Sequence, residues 1–87
     1  MKSRRNQSKI AFGDWQTPQL LANQIVTLLA KEDISPKTIV EPTCGVGSFL
    51  VACAKKWPSA NQFGYEINSK YVQLAQQKLH NKAIIQQ

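Results

Sequence analysis

Thr38 to Leu50, T-I-V-E-P-T-C-G-V-G-S-F-L, restricts the fold more than any other stretch of this 87-residue chain. Thr38 to Val40 reads as a short buried strand, Glu41 as an acid at its carboxyl end, Gly45 and Gly47 as a tight turn, and Ser48 as the start of a helix. In open α/β sheets ligands sit outside the carboxyl ends of the strands, so this turn is the expected ligand site. Glycine lacks a Cβ, which permits positive φ and a close approach of the backbone to a ligand or to the next helix. A second acid, Glu66, lies 21 residues after Gly45, at the end of the next expected strand. An acid at that offset reaches the hydroxyls of a ribose, because one crossover helix must pass before the chain returns beside the first strand. The plainer alternative is an ordinary turn flanked by two solvated acids.

A dinucleotide fingerprint would place a third glycine at position 50, where this chain has Leu50. Glu41 argues the same way, since a carboxylate beside the turn repels a pyrophosphate and suits a positively charged ligand. S-adenosylmethionine is such a ligand, with an ammonium, a sulfonium and no phosphate. The residues E-P-T-C-G-V-G-S-F resemble the first motif of class I S-adenosylmethionine-dependent methyltransferases, which reads (D/E)-P-x-x-G-x-G-x-F in those acting on nucleic-acid amino groups. The resemblance implies that Glu41, Pro42, Gly45 and Gly47 hold the methionine part of the cofactor, with Thr43, Cys44 and Phe49 of the same motif in the cofactor site. It likewise implies that Glu66, in F-G-Y-E-I-N, holds the ribose and that Ile67 is the apolar neighbour of the adenine.

Upstream, D-W-Q-T-P resembles the segment that, in methyltransferases modifying amino groups of DNA bases, often has an aromatic residue shortly before Thr-Pro and touches the cofactor from the opposite side. By that resemblance Trp15, Gln16, Thr17 and Pro18 join the site; Gln16 directly before Thr17 departs from the commoner aromatic-Thr-Pro form. Trp15 and Phe12 also fit a plain role, stapling the start of the helix to the core. The Thr-Pro segment precedes the glycine motif, as in adenine-modifying DNA methyltransferases that carry target recognition toward the C-terminus.

Thr17 and Pro18 read as N-cap and first-turn proline of a helix whose Leu21, Ile25, Leu28 and Leu29 form one apolar stripe, expected to pack on the sheet. The helix after the glycine turn is expected from Ser48 to Trp57, closed by Pro58. A strand near Gln62 to Ile67 follows, alternating Phe63, Tyr65 and Ile67, and Asn68 caps a helix carrying Tyr71, Val72, Ala75 and Leu79. His80 reads as a surface residue, and A-I-I-Q-Q as the start of a third strand.

The chain holds 11 basic and 5 acidic residues, a net charge of +6, and Lys2, Arg4, Arg5 and Lys9 crowd its start. Residues 1–11 are expected to form a mobile basic arm able to attract phosphate backbone, or merely a solvated tail, and 12–87 a partial cofactor-binding domain. No apolar run approaches the roughly 20 residues of a membrane span, and no signal peptide follows the basic start, so the cytoplasm is the expected location. Cys44 and Cys53 match neither a zinc spacing nor a disulfide framework, and no metal is expected. No His or Asp is placed to activate Cys44, which reads as a packed small residue.

The fold class implied is α/β, the N-terminal part of a Rossmann-like class I methyltransferase fold: a helix, then β-α-β-α and the start of a third strand. The family's N-P-P-(F/Y) or D-P-P-(F/Y) segment, which binds the target amine, does not occur in this sequence. The resemblance therefore implies the cofactor-binding portion of a DNA adenine-N6 methyltransferase of restriction-modification type. Such a portion is expected to be inactive alone, as a fragment or split subunit completed by a complementing subunit, and to meet DNA through the complete enzyme. A small nucleic-acid-associated protein with a vestigial methyltransferase likeness is the alternative, followed by a dinucleotide-binding piece, which Leu50 and Glu41 disfavour.

Overall fold

The structure, a computed structural model, is described for residues 16–87. The basic arm, Phe12 and Trp15 lie outside the described residues. Helix α1 (Gln19–Lys31) leads into strand β1 (Thr38–Glu41), helix α2 (Ser48–Lys56), strand β2 (Asn61–Tyr65), helix α3 (Ser69–Leu79), a short 3-10 turn (His80–Lys82) and strand β3 (Ile84–Gln86). The three strands form one parallel sheet in the order β1-β2-β3, with Val40 beside Phe63 and Phe63 beside Ile84. Each parallel neighbour is reached through a helix, as parallel pairing requires. The expected α/β order is thus present, including the third strand.

Local chemistry sets the element ends. Gly47 precedes α2 with φ +90°, and α2 stops at Trp57, which has the extended φ of −128° that a following proline, Pro58, imposes. Asn68 caps α3, its side-chain oxygen accepting from Lys70 N–H at 2.9 Å and Tyr71 N–H at 3.2 Å. At α1 the sequence expectation shifts by one residue. Pro18, with ψ 141°, is the extended flanking residue, and its carbonyl accepts from Ala22 N–H at 3.1 Å; Thr17 lies outside and does not cap.

Helix α2 is the middle of the molecule. On one side Leu50 and Ala54 join Cys44, Val72, Ala75, Leu79 and Ile85; on the other Ala52 and Cys53 join Ala22 and Val26 of α1. Ile39 of β1 packs against both clusters. Two expectations about faces are corrected here. Helix α1 does not bury its leucine stripe: Leu21, Leu28 and Leu29 are exposed, whereas Ala22 is fully buried and Val26 nearly so. The small Ala22 and Val26 sit against Ala52 and Cys53 of α2 because short side chains let two helices approach closely, and the bulkier stripe is left outside.

In β2 the buried face is Gln62 and Gly64, not Phe63 and Tyr65, and the strand ends at Tyr65 rather than Ile67. With its amide assigned by hydrogen-bond complementarity, buried Gln62 donates to Leu50 O at 3.2 Å and accepts from Ala54 N–H at 3.1 Å, which satisfies a polar side chain under α2. The other sheet face carries Val40, Phe63 and Ile84 in register, and Val40 and Ile84 are 56% and 55% exposed. Parallel sheets ordinarily bury both faces; here, among the described residues, this row is partly open and β1 has a strand neighbour on one side only.

Gly64 allows the helix-side core to close. A Cβ there would meet Ile85 Cδ1 and Leu50 Cδ1 at 2.8 Å and Cys44 Sγ at 3.0 Å. Gly64→Ala is expected to destabilise the fold by about 1–3 kcal/mol, the usual cost of overpacking. Urea unfolding with an unchanged midpoint would contradict this packing.

Candidate functional site

Strands β1 and β2 end side by side, and the chain between β1 and α2 folds over their carboxyl ends. Five backbone N–H groups follow Pro42 in this turn, and each has a partner within the protein. Thr43 N–H donates to Glu41 Oε1 at 3.2 Å, and Cys44 N–H to Tyr65 O at 2.9 Å, which ties the turn to the end of β2. Gly45 N–H donates to Glu66 Oε1 at 3.0 Å and Val46 N–H to Gln16 Oε1 at 3.0 Å. Gly47 N–H closes the turn onto Cys44 O at 2.9 Å.

Both glycines have positive φ, +57° at Gly45 and +90° at Gly47. They also make room: a Cβ at Gly45 would fall on the Gln16 side chain, and one at Gly47 would lie 3.1 Å from Leu79 Cδ1 and 3.3 Å from Ala75 Cβ. The turn thus rests directly on α3 and against the segment before α1. Gln19 reinforces that second contact, its Nε2 donating to Ser48 O at 2.8 Å.

A cleft of about 270 Å³ opens over the turn, lined by Gln16, Thr17, Glu41, Thr43, Cys44, Gly45, Ser48, Phe49 and Glu66. Most residues singled out in the sequence therefore meet in one place. Pro42 and Gly47 belong to the turn but not to the cleft wall, Pro18 flanks α1, and Trp15 lies outside the described residues. Ile67 is 89% exposed, beyond the end of β2 and outside the cleft lining. Sequence reasoning missed Ser48 and Gln19 as site residues. Ser48 was legible as the first helical residue after the glycine turn, whereas Gln19 acts through its bond to Ser48 O, which only the tertiary fold creates.

Glu66 is held firmly. Its second oxygen, Oε2, accepts from Asn68 N–H at 2.8 Å, so both oxygens are fixed by backbone donors while the carboxylate still borders the cleft. Each carboxylate oxygen has a further lone pair, so ligand hydroxyls can be accepted without breaking these bonds. Glu41 faces the same cleft, which makes its wall doubly acidic. At the far side Ser48 and Phe49 open α2, whose first turn has no side-chain cap among the described residues.

Cys44 is buried beside these acids. Burial, then the charge of Glu66, then that of Glu41 push its thiol above the ordinary value of 9.0, and burial with Glu41 does the same to Cys53. Both thiols stay protonated near neutrality, which is the opposite of what a nucleophile requires. Among the described residues no group of three or more His, Cys, Asp and Glu is arranged to hold a metal ion, and no helix is long and apolar enough to cross a membrane.

Comparison with known proteins places this geometry in context. The family model described as N-6 DNA Methylase matches residues 1–85. The type II methyltransferase M.NspV of Nostoc sp. (strain ATCC 29411 / PCC 7524) is 40% identical over 72 residues, which is 82% of this chain and 15% of that protein. The chain thus spans under a sixth of the length of this relative. Among solved structures, a modification subunit of a putative type I restriction enzyme from Vibrio vulnificus YJ016 superposes with a TM-score of 0.64 at 22% identity, over 93% of this chain and 20% of that one. The magnesium protoporphyrin IX methyltransferase of Synechocystis PCC 6803, solved with bound SAH, gives a TM-score of 0.65 at 24% identity, over all of this chain and 41% of that one. At these identities the structural likeness shows the fold, the opening part of the class I methyltransferase fold.

The thiol environment has a measurable consequence. Folding holds both cysteines protonated above the range in which free thiols ionise, so this contribution to stability is complete below pH 9.0 and is lost as pH rises through the raised folded values. Iodoacetamide at pH 8 is expected to alkylate Cys44 and Cys53 on the order of tenfold more slowly in the folded chain than in urea. Mass-spectrometric rates equal in the two states would show that Cys44 is an exposed, activated thiol instead.

Proposed function

Because the chain belongs to the N-6 DNA methylase family, we propose that residues 12–87 form the S-adenosylmethionine-binding unit of a DNA adenine-N6 methyltransferase. In that reaction the methyl group leaves the sulfonium for the exocyclic N6, the amine loses a proton, and S-adenosylhomocysteine remains. This part binds and presents the cofactor. DNA is engaged through the whole methyltransferase, whose target-binding residues lie outside this sequence. Further strands and helices, from the same or a complementing polypeptide, pack on the β1 edge and the Val40, Phe63 and Ile84 face.

One observation carries the cofactor choice. Every N–H of the glycine turn from Thr43 to Gly47 is already taken within the protein, so the turn offers no cradle of open donors to a pyrophosphate. What remains is the uncapped start of α2 beside two carboxylates. A diphosphate brings two negative charges to that wall and is repelled. The amino-acid end of S-adenosylmethionine brings one carboxylate, which suits the helix start, and adjoining positive charge, which suits Glu41. Glu66 then accepts the ribose hydroxyls, Ile67 borders the adenine, and Thr17 lines the opposite wall.

Calorimetry on the soluble protein is expected to show binding of S-adenosylhomocysteine and none of NAD. Two charge-assisted hydrogen bonds are lost in Glu66→Ala, partly replaced by water, so affinity should fall on the order of tenfold to a thousandfold. Tighter binding of NAD than of S-adenosylhomocysteine, or an unchanged affinity in Glu66→Ala, would overturn the assignment.

A further inference from the structure

The peptide bond between Gly45 and Val46 is gripped at both ends by side chains. Its N–H donates to Gln16 Oε1 at 3.0 Å, and its C=O accepts from the buried Cys44 thiol at 3.6 Å. We propose that Gln16 and Cys44 are positioning residues that lock this peptide plane in one orientation, presetting the floor of the cleft for the cofactor. The consequence for binding rests on the cofactor reading above; the lock itself does not.

Turning this peptide over rotates ψ of Gly45, where no Cβ resists, and φ of Val46, where the branched side chain does. The two side-chain bonds add to that backbone preference. Turned over, the Gly45 carbonyl would face Gln16 Oε1 unless that amide rotated as well, and Val46 N–H would lose its partner. The same Gln16 oxygen fills the space a Cβ at Gly45 would take, so removing the side chain opens both the room and the freedom for the turn to change shape.

The residue types fit the task. Successive N–H groups, Gly45 and Val46, are taken by Glu66 and Gln16, whose side chains both border the cleft. An amide supplies the second acceptor without adding a third carboxylate beside Glu41 and Glu66. Cys44 acts only as a protonated donor, and its burial next to those acids keeps it so. This gives a use to a buried thiol that the proposed chemistry otherwise leaves idle, and to the glutamine that departs from the family's commoner aromatic-Thr-Pro form.

Amide hydrogen exchange in the cofactor-free protein tests the lock. In Gln16→Ala the Val46 amide is expected to exchange at least about tenfold faster, while Gly47, bonded to a backbone carbonyl, and the core amides of Leu50 and Ala75 keep wild-type rates. Gln16→Glu retains an acceptor oxygen at the same reach and should keep Val46 at the wild-type rate. Val46 exchange unchanged in Gln16→Ala, equal acceleration of Gly47 and Leu50, or Gln16→Glu as fast as Gln16→Ala would each overturn the proposal. Affinity for S-adenosylhomocysteine is expected to weaken roughly threefold to tenfold in Gln16→Ala and Cys44→Ala and to recover in Cys44→Ser, which keeps a donor. Wild-type protein that fails to bind S-adenosylhomocysteine refutes the cofactor reading, while the exchange rates still decide the lock.

Discussion

Between Thr43 and Gly47 every backbone N–H is satisfied inside the protein; Gly47 bonds within the turn to Cys44 O, and the other four partners are Gln16 before α1, Glu41 at the end of β1, and Tyr65 and Glu66 at the end of β2. This convergence fixes the site. It holds the glycine turn across the ends of two strands and brings both acids to one cleft beside the start of α2, which no described side chain caps. On the proposed reading such a turn disfavours a diphosphate, because the donors that would bind it are occupied and the wall carries two carboxylates. The same geometry suits a nucleoside whose charged end is partly cationic.

The packing beneath serves that arrangement. Helix α2 packs against α1, α3 and β2, and the small residues around it, Ala52, Cys53 and Ala54 on the helix, Ala22 on α1, Ala75 on α3 and Gly64 on β2, set the close spacing on which the turn depends. Gly47 lies against Ala75 and Leu79, so α3 supports the turn from below. The opposite sheet face, with Val40 and Ile84 exposed, takes no part in forming the cleft. Binding geometry and the uncovered face are separate features of one sheet.

Much of this was legible in the sequence, and the reasons are local. The strand, glycine turn and helix from Thr38 to Lys56 announce themselves through composition and spacing, and Glu66 stands where one crossover helix must bring it. The Asn68 cap and the third strand are equally local signals. What was not legible depends on partners. The leucines of α1 are its most apolar stripe, yet the side that packs is chosen by how closely α2 can approach, which favours Ala22 and Val26. Strand β2 buries Gln62 and Gly64 because one side chain satisfies the backbone of α2 and the other yields space to Ile85, Leu50 and Cys44. Gln16 fits a site residue by resemblance, but its bond to Val46, 30 residues away, is a product of the fold.

The central claim is that the cleft at the carboxyl ends of β1 and β2 is the nucleoside site. The direct measurement is an amide chemical-shift titration of the labelled protein with S-adenosylhomocysteine. Saturable shifts are predicted at Thr43, Gly45, Ser48, Phe49 and Glu66, with Asn61, Asn81 and Ala83 at the opposite strand ends unmoved. Saturable shifts confined to those opposite ends, or none at the glycine turn at saturating ligand, would contradict the account.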